Sequence, residues 1–149
     1  MPLPKAQTAA LMASVDDVEA QFYESLQRGD IERLMAVWSD DDEIVCVHPG
    51  GPRVIGAAMI RASFEAMFAN GSIDAHPEKV RRVHTHACAV HNVVERIHVL
   101  TEQGPRLGWV IATNVYVKAA QGWRLVAHHA SPGTPNEIQE ATEPSSVLH

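Results

Sequence analysis

The chain carries 9 histidines and 18 acidic residues in 149 positions. Histidine changes charge near neutral pH, so an imidazole in an apolar setting is a candidate proton carrier. Two positions fit. His48 follows Ile44-Val45-Cys46-Val47 and precedes the turn Pro49-Gly50-Gly51-Pro52. With Ile44 and Cys46 on its own side, it ends an apolar face, either as a proton carrier or as a structural histidine bonded to a turn carbonyl. His129 lies in Trp123-Arg124-Leu125-Val126-Ala127-His128-His129-Ala130-Ser131. Strict alternation puts Trp123, Leu125, Ala127, His129 and Ser131 on one face, greasy at one end and polar at the other. The same alternation turns His128 towards an interface or solvent.

Glu95 sits mid-strand in an apolar run. A carboxyl there either pairs across the strands or has its pKa raised and becomes a base. Asn114 and Tyr116 share one face of the stretch 107–119, with Trp109, Thr113 and Val115 on the other. Either face can be the inner one. Asn114 and Tyr116 suit a ligand oxygen, and Tyr116 equally suits a dimer interface. Trp38 and Phe64 have the spacing of helical core residues, which in a hollow domain also line the cavity. Asp40, Asp41 and Asp42 form an acidic turn that reads as solvated. His84-Thr85-His86 places two imidazoles on one strand face. The next acid, Glu95, is too far on for a His-x-His metal motif. The expectation is no metal and no cofactor.

These residues must be positioned by the elements around them. Ser14 is a helix N-cap, with Asp16, Asp17 and Glu19 in the first turn. Val15, Val18, Phe22 and Leu26 form the buried stripe, and Gly29 ends the helix. Asp30 caps a second helix with Ile31, Leu34, Met35 and Trp38 inward. Residues 43–48 and 53–55 are short strands about the Pro-Gly turn. Gly56 opens a third helix with Ile60, Phe64, Met67 and Phe68 inward, stopped by Asn70-Gly71. The period then changes to two, giving strands near 73–87, 89–103, 107–119 and 122–131 with short links, hence antiparallel neighbours. Helices followed by a run of long strands make an α+β fold. Long strands twist, so the sheet curves and leaves a hollow against the helices.

Length and an apolar content of 46% fit a single globular domain. Residues 1–13 read as an arm, 14–132 as the domain and 133–149 as an acidic tail. A net charge of −6 without a basic cluster excludes nucleic acid and anionic membrane as partners. No stretch has bilayer-spanning length and the start is not a secretory signal. Cys46 and Cys88 match no metal or redox spacing and read as buried free thiols, consistent with a cytoplasmic setting.

Four stretches carry a resemblance. They are Gln27-Arg28-Gly29-Asp30 with Met35 to Trp38; Val45-Cys46-Val47-His48-Pro49-Gly50-Gly51; Val54-Ile55-Gly56 leading to Ile60 and Phe64; and Thr113-Asn114-Val115-Tyr116 with Gly122-Trp123 to Ser131. Over roughly 14–132 the chain resembles the SnoaL-like branch of the nuclear transport factor 2-like superfamily, which includes ketosteroid isomerase-like proteins. The spacing of Trp123, His129 and Ser131 is also similar to that of the association domain of calcium/calmodulin-dependent protein kinase II. The resemblance implies a conical cystatin-like roll, three helices on a strongly curved, mainly antiparallel sheet, usually a homodimer through the sheet's outer face. Its members include isomerases, dehydratases, epoxide hydrolases, polyketide cyclases and non-catalytic association domains, so fold alone fixes no activity. The expectation is a pocket for a small apolar molecule. His48, His129 and Glu95 are its candidate acid–base groups, and Trp38, Phe64, Asn114, Tyr116 and Ser131 its lining. The alternative is a non-catalytic dimerising ligand-binding or association domain.

Overall fold

The computed structural model describes residues 12–133 and 140–143. Helix α1 spans Val15–Arg28, α2 Ile31–Ala36 and α3 Ala57–Phe68. The Ser14 side chain accepts from the Asp17 N–H at the start of α1, and Gly29 ends it at a φ of 64°. Asp30 caps α2 by accepting from the Arg33 N–H. Helix α1 buries more than its apolar stripe: Glu19, Gln21, Tyr23 and Ser25 also face inward.

Six strands form one sheet: β1 (Val45–Val47), β2 (Arg53–Ile55), β3 (Asp74–His84), β4 (Cys88–Thr101), β5 (Gly104–Ala119) and β6 (Gly122–Pro132). Their order is β2-β1-β6-β5-β4-β3. The β1–β6 pair is parallel and the other four are antiparallel. The hairpins β3–β4, β4–β5 and β5–β6 follow from the short links. The core lies between the helices and one sheet face, and includes Phe22, Tyr23, Leu34, Ile60, Phe64, Val93, Tyr116 and Leu125. No helix among the described residues is long and apolar enough to cross a membrane.

Two local features reset the expectations. Opposite β5, Val115 pairs with Ala127 but Tyr116 pairs with Leu125, so Val126 is an extra residue in β6. A bulge of one residue reverses side-chain parity beyond it. Leu125 lies on the inner face before the bulge, and His128 and Ala130 lie there after it. Strict alternation from Trp123 therefore fails, and the inward histidine is His128 rather than His129. The second feature concerns the arm. Residues 1–11 of it lie outside the described residues, as do 134–139 and 144–149 of the tail, but Met12 is fully buried in the core. Its carbonyl accepts from the Trp123 N–H at 2.9 Å. Gly122, at a φ of 110°, makes this possible: a Cβ there would lie 2.7 Å from the Met12 carbonyl oxygen.

Candidate functional site

Cross-strand register puts Glu95 opposite Val110, His91 opposite Asn114, and Asn114 opposite His128, with all four polar side chains on the helix-facing side. Helix α1 lies across them and adds Tyr23. The result is a chain of hydrogen bonds drawn from four elements. His128 Nδ1 lies 2.5 Å from Asn114 Oδ1. Asn114 Nδ2 donates to the Tyr23 hydroxyl at 3.1 Å. Tyr23 donates to Glu95 Oε2 at 2.7 Å. An amide oxygen can only accept, so His128 carries its proton on Nδ1 and leaves Nε2 bare. Every donor in the chain points towards the carboxyl.

Burial sets the electrostatics. Glu95 is 5% exposed, and desolvation pushes its pKa up to about 7, against the opposing pull of the Tyr23 hydroxyl. Among the described residues it has no Lys, Arg or His partner. Burial, with His48 and His129 nearby, pulls His128 down to about 3, so it stays neutral at physiological pH. Burial also raises Tyr23 and Tyr116 well above 10. The Tyr116 hydroxyl is buried beside the Asn114 amide, which pulls against the upward shift, but makes no hydrogen bond of ordinary geometry among the described residues. The walls are apolar: the Phe22 ring lies 5.1 Å from both Tyr23 and His128, centroid to centroid, and 6.3 Å from Phe64. Ala112 and Ala130 are registered neighbours on the same face, buried and packed with Val110 and Ile97.

His48 lies beside this group. Its ring stands perpendicular to Phe64 at 4.8 Å, and Nε2 is 3.0 Å from Ser63 Oγ. Ser63 spends its own proton on the Ile60 carbonyl, so His48 donates to it. Burial lowers the His48 pKa. Cys46 is fully buried, its thiol pushed up to about 12, while Cys88 is only half-buried.

A second polar cluster occupies the same face. His91, fully buried, has Nδ1 2.6 Å from Glu19 Oε2 and Nε2 3.0 Å from His84 Nε2. The two rings stack at 5.2 Å. His91 is thus an interior histidine, whereas His84 is exposed.

The predicted residues sort clearly. Glu95, Asn114, Tyr116 and Phe64 are brought together inside, and His48 stands at their flank. His129 is exposed and paired with Thr113 and Val47 on the outer face. Ser131 is exposed, its hydroxyl donating to the Ile111 carbonyl at 3.4 Å. The bulge at Val126 is the reason for both corrections. Trp38 is buried, but it lines two surface hollows of about 350 and about 450 Å³ with Ser39 and Asp40. Tyr23 and His128 were missed. One signal was available for Tyr23: Glu19, Tyr23 and Gln27 recur at four-residue steps beside the apolar stripe, forming a polar row.

The fold and sequence have clear relatives. A crystal structure from Thiobacillus denitrificans, provisionally assigned as a calcium/calmodulin-dependent protein kinase type II association domain, is 32% identical. It aligns over 83% of this chain and 98% of its own, with a TM-score of 0.75. A protein from Streptomyces avermitilis, provisionally assigned as a dehydratase of the NTF2-like family, is 27% identical over 87% and 98%, with a TM-score of 0.72. The CaMKII hub from S. rosetta shares the fold at 19% identity over 89% and 100%, with a TM-score of 0.65. No curated protein matches in sequence. The SnoaL-like domain model matches residues 15–135, so that the chain belongs to the SnoaL-like domain family.

Proposed function

We propose that this protein binds a compact, largely apolar molecule in the interior of its roll and moves a proton on it without a cofactor. The observation that carries the reading is Glu95: a deeply buried carboxyl without a cationic partner among the described residues, its pKa pushed up to about 7 and its orientation set by the Tyr23 hydroxyl. Such a group is costly to bury and poised for acid–base work at neutral pH. In this reading Glu95 takes and returns the proton. Tyr23, Asn114 and His128 hold the carboxyl and set the polarity. The buried Tyr116 hydroxyl, which makes no hydrogen bond of ordinary geometry among the described residues, donates to an oxygen that gains negative charge. Phe22 and Phe64 supply the apolar wall. Isomerisation, dehydration and hydrolytic opening beside a carbonyl or epoxide are the reactions this set serves. The protein acts as a homodimer in the cytoplasm, where its thiols stay reduced.

The test begins with mass spectrometry of the purified chain to identify a co-purifying small molecule. Turnover and solvent-proton exchange into that molecule are then measured across pH. The wild-type rate rises with pH through about 7, as Glu95 ionises. Glu95→Gln retains binding but loses about 100-fold or more in exchange. Undiminished exchange in Glu95→Gln rules the reading out.

A second reading rests on the 32% identity to the Thiobacillus denitrificans structure. The chain would then be an association domain that assembles copies and binds without turnover. A stable oligomer, with no proton exchange in any co-purified molecule, decides for it.

A further inference from the structure

A third titratable cluster lies away from the interior, at the start of β3. Asp74 and His76 are two residues apart on one strand, and Asp74 is registered opposite His98 on β4. All three side chains therefore project from the same face of the β3–β4 pair. Asp74 Oδ1 is 2.7 Å from His76 Nε2, and Asp74 Oδ2 is 3.0 Å from His98 Nδ1. The donor atoms lie within 4.8 Å of one another. The side chains are 47%, 36% and 50% exposed for Asp74, His76 and His98.

We propose that Asp74, His76 and His98 form a binding site for a first-row divalent transition-metal ion such as zinc, cobalt or nickel. Two imidazole nitrogens and one carboxylate oxygen are the ligand set such ions prefer over magnesium or calcium. With metal–ligand bonds of about 2.1 Å, ligand atoms stand roughly 3.4 Å apart at tetrahedral angles. The two imidazoles meet different oxygens of the carboxylate, at 2.7 and 3.0 Å, so a small opening with a turn of the carboxylate lets both share one ion with it. Three protein ligands on a half-exposed surface leave the remaining positions to water. No Lys or Arg pairs with Asp74 among the described residues, and the neighbouring Arg96 is held by Glu78 at 3.1 Å. The other convergent group, Asp16, Glu19 and His91, differs on this point. There Arg82 already serves both acids, at 3.3 and 3.8 Å.

Gln27 stands behind His76. Its amide nitrogen donates to the Ala75 carbonyl at 2.7 Å and lies 3.4 Å from His76 Nδ1. Without metal, Nδ1 faces that donor and Nε2 carries the proton given to Asp74. A cation at Nε2 moves the proton to Nδ1, so the Gln27 amide must turn its oxygen rather than its nitrogen towards that ring, and it replaces both hydrogen bonds to Asp74. The metal then ties the first residue of β3 to β4 directly.

The experiment uses untagged full-length protein stripped of metal, titrated with zinc by calorimetry and with cobalt by visible absorption at pH 7.5. One equivalent is expected to bind, with the visible bands of nitrogen–oxygen-ligated cobalt. His98→Gln and Asp74→Ala each weaken binding at least tenfold, while His84→Gln leaves it unchanged. Thermal midpoints near wild type show that the half-exposed substitutions leave the fold intact, and His76→Gln provides a third variant. The proposal is overturned by the absence of a stoichiometric site, by affinity that survives His98→Gln, or by affinity lost with His84→Gln.

Discussion

Replacing Glu95 with Gln tests the interior site without needing a ligand. The side chain keeps its shape and still accepts from the Tyr23 hydroxyl, but it can no longer ionise. In the wild type the folded-state pKa is raised from 4.5 to about 7. Folding therefore holds a proton that the unfolded chain has lost, and stability falls as pH rises through that window. The displacement corresponds to about 3 kcal/mol in total, most of which falls between pH 5 and pH 8. His128 works in the opposite direction. Its pKa is lowered from 6.5 to about 3, so its contribution is present above 6.5 and is lost as pH falls. Where the windows overlap, from 4.5 to 6.5, the two slopes offset each other in the wild type.

The assay is urea unfolding of both proteins at several pH values, read as the difference in stability at each. Groups common to both cancel in that difference. The gain of Glu95→Gln over wild type should grow by about 2–3 kcal/mol from pH 5 to pH 8. The variant alone should gain stability with pH through 4.5–6.5, because Glu95 no longer opposes the His128 slope, which His48 reinforces. A difference that stays flat with pH means that Glu95 titrates as an ordinary carboxyl, and the argument for a poised base fails with it.

Two further outcomes check the hydrogen-bond chain. Tyr23→Phe leaves both Glu95 and the Asn114 amide short of a partner, so it should cost about 1–3 kcal/mol in urea unfolding at pH 7. It should also move the Glu95 transition further upward, because the Tyr23 bond is the influence that lowers it. Nitrogen-15 NMR of the histidine rings should find His128 as the Nδ1–H tautomer and untitrated down to pH 4; an Nε2–H tautomer would break the assigned polarity.

Much of this architecture is legible in the order of residues because it rests on short-range rules. Ser14 and Asp30 cap helices, Gly29 and Gly56 bound them, and the change of period after Gly71 marks the sheet. The α+β class, the three helices and the hairpin order follow. Glu95 was also legible: a carboxyl amid Val93, Val94 and Ile97 must be either paired or perturbed. Its partner was not, because Tyr23 lies 72 residues away and only the crossing of α1 over β4 brings them together.

The misplaced histidine has a different cause. Alternation along a strand is a parity argument, and parity survives only while no residue is inserted. Nothing in Leu125-Val126-Ala127 marks a bulge: there is no glycine or proline, and Val126 has a high strand propensity. The insertion becomes visible only against β5, where Val115 and Tyr116 are consecutive while Ala127 and Leu125 are not. Its effect on chemistry is large. Without it, an exposed imidazole paired with Thr113 would face inward, and the group bonded to Asn114 would face out. The bulge also lets a single strand do two jobs: Leu125 packs the helices at one end, and His128 reaches Asn114 beyond it. Bulges are concentrated where a strand must re-aim a side chain towards a site. This one re-aims the last member of the chain that leads to Glu95.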